Sequence, residues 1–242
     1  MNHLRSACVL LLVLALAGCE KPVEVPPQQR AQPVIAGELA FADQIAEVKS
    51  GKRDRIQVEC NPIDDEQLQK LNDARQAEVL LLDHPDNKIG ESGIALIATM
   101  PKLMHLRLRG VNIDDAAAAR LAKVKSLQIL NLPQSELTDS GLAELTKLEN
   151  LVQLRVGSSK LTDSGLEALK QFPKLKRVHL IDVPITDAGL AVFESLPKLE
   201  SLYIDGGNVS DAAYERLFKA KPGLHVHVDQ AHHDRDPNAH PH

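Results

Sequence analysis

Apolar residues return along the chain at a fixed interval. Leu103, Leu127, Leu151, Leu175 and Leu199 stand 24 residues apart, a period in the range that stacked repeats produce. Three positions after each comes another apolar residue (Leu106, Leu130, Leu154, Val178, Leu202), and two further on a third (Leu108, Leu132, Val156, Leu180, Ile204). This alternation predicts a short strand with one buried face. Ten positions after each start stands Ile113, Leu137, Leu161, Ile185 or Val209, followed in most units by Thr or Ser and then by Asp115, Asp139, Asp163, Asp187 or Asp211. A hydroxyl or carboxylate before an apolar stretch caps free backbone amides, and an acid suits the positive helix end, so a helix starts there. Its inner face continues through Leu142 and Leu145, Leu166 and Leu169, Leu190 and Phe193. Gly141, Gly165 and Gly189 share one slot in these helices. Glycine costs about 1 kcal/mol there relative to alanine, and close packing against the neighbouring coil is the expected compensation.

The same register runs backwards to Val79, Leu82, Ile89, Gly93, Ile94 and Ile97, and more loosely to Ile56, Val58, Ile63, Leu68 and Leu71. Forwards, Val226 and Val228 supply a last strand. Leu39, Phe41, Ile45 and Val48 fit an amphipathic helix covering the open N-terminal face, since the ends of a repeat array need caps. The expected architecture is an α/β solenoid of about seven 24-residue repeats forming one domain over residues 38–229.

Segments such as Leu-Thr-Asp-Ser-Gly-Leu (137–142, again 161–166) and Ile-Thr-Asp-Ala-Gly-Leu (185–190) make the chain resemble leucine-rich-repeat proteins, most closely the cysteine-containing, ribonuclease-inhibitor-like subfamily in bacterial form. The resemblance covers about residues 53–229. It implies a curved solenoid with short parallel strands on the concave face, helices on the convex face, and a use in protein recognition. One slot departs from the family pattern. Where Asn or Cys is usual, the sequence has Asn61 and Asn87 but then Val111, Ser135, Ser159, Val183 and Gly207, so the side-chain ladder there is expected to be mixed.

The N-terminus reads differently. Arg5, the apolar run Ala7 to Leu16 and the small residues after it form an export signal, too short to span a bilayer as a mature helix. Leu16-Ala17-Gly18-Cys19 resembles the lipobox of bacterial lipoproteins, which implies cleavage after residue 18 and acylation of Cys19. Residues 19–37, rich in Pro and Gln, read as a disordered tether to the membrane, and 230–242 as a His-rich disordered tail. The expected location is a lipid-anchored position on the periplasmic side of the envelope. Glu20 after the cysteine favours the outer membrane under the sorting rule of some Gram-negative lipoproteins. Cys8 leaves with the signal and Cys19 takes lipid, so Cys60 remains as a single thiol, expected to be a partly buried repeat residue.

Composition narrows the chemistry. Aromatics are only 2% and tryptophan is absent, so aliphatic side chains fill the core. A net charge of -5 gives no global attraction to nucleic acid. Phosphate-loop, His-Glu-x-x-His and Gly-x-Ser-x-Gly motifs are lacking, and Ser195-x-x-Lys198 falls in the recurring Pro-Lys-Leu that joins helix to strand, so neither an enzyme nor a cofactor is expected.

Residues between the buried strand positions point outward in columns. One column reads Asp83, Arg107, Asn131, Arg155, His179, Tyr203, His227; its neighbour reads Leu81, His105, Ile129, Gln153, Arg177, Ser201, His225. Arg107, Arg155, Arg177, His179 and Tyr203 therefore form a candidate surface for an acidic protein partner, with exposed Ile129 and Ile181 beside it. The competing reading is a solvated surface balanced by Asp182 and Asp205. A second function class is a metal- or anionic-ligand-binding lipoprotein using His225, His227, His232 and His233, although their spacing matches no closed zinc motif.

Overall fold

The structure, a computed structural model, describes residues 38–229, 231 and 232. The signal, Cys19, the tether and His233 lie outside the described residues, and the side chain of His232 is likewise not described. A capping helix α1 (Phe41–Lys49) is followed by strand and helix in strict alternation: β1 (Arg55–Val58), α2 (Asp65–Leu68, continued as a 3-10 turn), β2 (Val79–Leu82), α3 (Glu91–Ile97), β3 (His105–Leu108), α4 (Asp115–Leu121) and β4 (Ile129–Leu132). Then come α5 (Asp139–Leu145), β5 (Gln153–Gly157), α6 (Asp163–Leu166, again continued as a 3-10 turn), β6 (Arg177–Ile181), α7 (Asp187–Glu194), β7 (Ser201–Asp205), α8 (Asp211–Ala220), β8 (His225–Val228) and β9 (Ala231–His232). Strands β1 to β8 pair in parallel in chain order. Strands stack about 4.8 Å apart whereas packed helices need 8–10 Å. The sheet is therefore the inner, concave side. The core between the layers is one continuous aliphatic cluster, and Leu103, Leu127, Leu151, Leu154 and Leu202 are fully buried in it.

Long-range hydrogen bonds join one coil to the next. Thr162 donates its backbone N–H (2.9 Å) and its hydroxyl (2.7 Å) to the Asp139 carboxylate of the preceding unit, while its own hydroxyl oxygen accepts from Gly165 at the helix start. Thr138 meets Asp115, Thr186 meets Asp163 and Ser210 meets Asp187 in the same way. Each acid thus both opens its own helix and clamps the cap of the next one, which a local reading of the motif does not reveal. The ladder also accounts for the glycine slot. A Cβ at Gly189 would overlap Asp163 Oδ1 and come within 3.1 Å of Asp163 Cγ; Gly141 and Gly165 face Asp115 and Asp139 in the same manner. At the corresponding place Ala117 follows a unit whose acid, Glu91, turns out to Arg120 instead.

One unit breaks the period. Val79 pairs with His105, a step of 26 residues, where the steps on either side are 24. The phase expected for this strand is therefore corrected: Leu80 and Leu82 are the buried pair, Ala77 occupies the start slot, and Leu81 rather than Asp83 stands beside Arg107. The extra residues lie in the loop between β2 and α3. There Asn87 accepts from the Ile63 N–H (2.7 Å) and donates to the carbonyls of Leu82 (3.2 Å) and Arg109 (2.9 Å), closing three coils together. Gly110 (φ 69) passes so close that a Cβ there would overlap the Pro85 carbonyl. Further along, the same seam is made by Ser135 donating to the Gly157 carbonyl (2.8 Å) and Ser158, not Ser159, donating to that of Leu137 (2.7 Å).

Both ends of the sheet are covered. In α1, Ile45 and Val48 pack on the core; Leu39, expected on the same helix, lies before its start and stays exposed. Gln44, which the apolar pattern passes over, is buried and caps the free edge of β1: its amide donates to the Gln57 carbonyl (2.7 Å) and its oxygen accepts the Gln57 N–H (2.8 Å). At the other end the chain turns at Asp229 (φ 49) and Ala231–His232 pairs antiparallel with β8. The sheet thus runs to His232, three residues past the boundary expected for the domain, into what the sequence reads as tail.

Candidate interaction surface on the sheet

Strand register fixes what faces outward. Arg107 pairs with Asn131, Asn131 with Arg155, Arg155 with His179, His179 with Tyr203 and Tyr203 with His227, forming one row across β3 to β8. The neighbouring row runs His105, Ile129, Gln153, Arg177, Ser201, His225. All five candidate residues therefore lie on the same face. The sheet brings Arg155, Arg177, His179 and Tyr203 together around a depression of about 550 Å³ that Asn131, Gln153 and Val178 complete.

Their electrostatic states differ. Arg107 Nη1 is 3.0 Å from Asp83 Oδ2, and Arg109 approaches the same carboxylate at 3.9 Å, so Arg107 is internally neutralised. His179 Nε2 stands 2.8 Å from Asp205 Oδ2. Burial nevertheless pushes its imidazole below the ordinary value; the Asp205 contact offsets part of this, and Arg155 adds to the fall. His179 is accordingly neutral at neutral pH and gains charge only under more acidic conditions than a free histidine. Burial, then Arg55 and Arg107, lower His105 in the same direction. Arg155 and Arg177 make no ion pair among the described residues, and burial followed by Arg107 lowers the Arg155 guanidinium.

Beyond the depression an aromatic run continues the row. Tyr203 stacks on His227 with centroids 4.5 Å apart and lies 5.4 Å from the His179 ring. His225 and His227 face each other through Nε2 atoms 2.7 Å apart, one donating and the other accepting. Among the described residues no three His, Cys, Asp or Glu side chains converge as a metal site would require. Cys60 is buried. Asn131 and Gln153 are the residues that charge-led reading of the sequence passes over. Their signal was positional, since both fall in the outward columns between arginines.

Residues 147–170 match the family model described as Leucine Rich repeat. Among solved structures the chain is similar to an internalin, InlF, from Listeria monocytogenes, at 18% identity and a TM-score of 0.58, over 77% of this chain and 54% of that one. The chain thus spans about half the length of that internalin chain. No curated protein sequence matches it. The fold is a leucine-rich-repeat solenoid.

Proposed function

We propose that the protein is a lipid-anchored envelope scaffold that binds a protein partner on the concave face of its sheet. The observation that carries this reading is the open depression on that face. Two unpaired arginines, Arg155 and Arg177, stand there beside Tyr203, with half-buried Ile129 and Ile181 at its margins. Aromatic and arginine side chains on a polar ground are the composition that protein interfaces favour over the rest of a surface. The anchor rests on the lipobox ending in Cys19. Among the described residues no helix is long and apolar enough to cross a membrane. Several acyl chains hold a protein firmly where a single one does not.

The test is site-specific photo-crosslinking in the native cell. A crosslinking residue placed at Ser201, on the sheet, is expected to capture a reproducible protein partner, and one placed at Ser164, exposed on the helical side, is not. Capture from Ser164 and none from Ser201 would move the binding surface to the convex side.

A further inference from the structure

Side-chain polar atoms that are buried without a hydrogen-bond partner stand in one row on adjacent strands: Arg107 Nε on β3, Asn131 Oδ1 on β4 and Arg155 Nε on β5. The fourth such atom among the described residues, Asp83 Oδ1, belongs to the acid that already faces Arg107 and Arg109. Buried polar groups in folded proteins are nearly always paired. Here the arginine Nε atoms lack an acceptor, whereas Asn131 Oδ1, itself an acceptor, lacks a donor. The row therefore calls for a group that brings both, as a peptide with carboxylate and N–H groups does. Asn131 is only 8% exposed and lines the same depression as Arg155 and Arg177. The acids on this face are engaged: Asp83 by Arg107, and Asp205 by His179. What Arg155 and Arg177 lack, among the described residues, is a carboxylate within ion-pair distance.

We propose that this depression is a carboxylate subsite, in which an acidic side chain of a bound protein segment sits between Arg155 and Arg177 over Asn131. This rests on the reading of the concave face as a protein-docking surface and gives that surface its partner chemistry. A guanidinium presents donors in a planar fork that matches a carboxylate. Half-buried Arg155 and exposed Arg177 make no ion pair among the described residues that would compete for those donors. Gln153 and the side-chain NH2 of Asn131, which line the same depression, add neutral donors. Tyr203 walls the depression on the β7 side, and partly exposed Ile129 lies next to it in the row of Gln153, so the subsite has apolar neighbours for the rest of a peptide. Arg107 is excluded from direct contact because its charge is already met.

The experiment uses the full chain and a fluorescent, end-blocked hexaglutamate peptide, followed by anisotropy, with hexaserine as control. Saturable binding is expected for hexaglutamate alone. Arg155→Ala and Arg177→Ala should each weaken it by about tenfold or more, as loss of a charge-assisted contact does. Arg55→Ala makes the same change in net charge at the far end of the sheet and should leave it within about twofold, on the scale of screened distant charges. Unchanged urea midpoints for all three variants would assign the losses to the site. Equal weakening by Arg55→Ala would overturn the subsite in favour of diffuse attraction, and displacement of the peptide by equimolar inorganic phosphate would overturn the carboxylate assignment. If hexaglutamate does not bind while crosslinking from Ser201 still captures a partner, the subsite is wrong and the docking surface stands. If both fail, both readings fall.

Discussion

The aspartate ladder makes a quantitative prediction about the glycine slot. At Gly189 alanine would gain about 1 kcal/mol from helix propensity, but its Cβ would overlap Asp163 Oδ1 and lie 3.1 Å from Asp163 Cγ and 3.2 Å from Ile185 Cβ. The carboxylate is held by Thr186 through two hydrogen bonds, which a shift away from the added methyl would stretch. Overpacking of this kind costs about 1–3 kcal/mol, so Gly189→Ala is expected to destabilise by up to about 2 kcal/mol. Asp163→Ala alone loses two hydrogen bonds to a carboxylate and a favourable helix-end charge, together about 1–2 kcal/mol because exposed Thr186 regains water. In the Asp163→Ala background the overlap with the carboxylate is gone and only the 3.2 Å approach to Ile185 Cβ remains, so Gly189→Ala should turn nearly neutral or stabilising by up to about 1 kcal/mol. The coupling in this double-mutant cycle is then about 1–3 kcal/mol, measurable by urea unfolding followed by far-UV circular dichroism with unchanged slopes. If Gly189→Ala has the same effect in both backgrounds, within about 0.5 kcal/mol, the acid does not impose the glycine and the explanation fails. Ala213 occupies the same slot beside Asp187, which Ser210 clamps in the same way, so a clamped acid can accommodate a methyl there and the exclusion at Gly189 rests on its own closer spacing. Ala213→Gly should accordingly destabilise by about 1 kcal/mol, so that at both positions the native residue is the favoured one.

Leu154, fully buried in β5, should cost about 2–5 kcal/mol as Leu154→Ala, read by the same denaturation, while Arg155→Ala next to it stays within about 1 kcal/mol as a partly exposed, unpaired side chain. Because His105 and His179 have lowered values in the folded state, the unfolded chain binds more protons just below pH 6.5; stability is complete above that value and falls as pH drops through it. Replacing both by Gln should flatten the slope over that window in pH-dependent denaturation, and an unchanged slope would assign it to other groups. Cys19→Ser should release the protein from the membrane fraction and abolish labelling by a fatty-acid probe. Retention with labelling would remove the lipid anchor.

The repeat was legible from Leu103 onward because each strand alternates apolar and polar residues and so fixes its own phase. At Val79-Leu80-Leu81-Leu82 every position is apolar, alternation selects no phase, and a period carried backwards lands on the wrong residues. The two extra residues before α3 could be found only from pairing. The motif Thr-Asp signalled a helix start correctly, yet its clamp on the next coil joins residues 23 apart in sequence, which no local rule detects. On the surface, the outward columns from His105 onward followed from strand register alone. Pairing within them did not: Asp83 forms an ion pair with Arg107 and Asp205 a hydrogen bond with His179, which separates Arg155 and Arg177 from those two although all four look alike as a list of basic residues. Gln44 was illegible for a related reason, since a polar residue on an apolar helix face satisfies a backbone edge that only the folded array exposes.

The most direct test of the concave face as the binding surface is a charge-reversal comparison in the native cell. Arg155→Glu with Arg177→Glu is set against Lys147→Glu with Lys170→Glu, an equal change of charge on the helical side, where both lysines form only exposed pairs one turn away. Capture of the crosslinked partner, normalised to the amount of folded protein, should be lost in the first variant and kept in the second. Equal capture by both, or loss only in the second, would contradict the account.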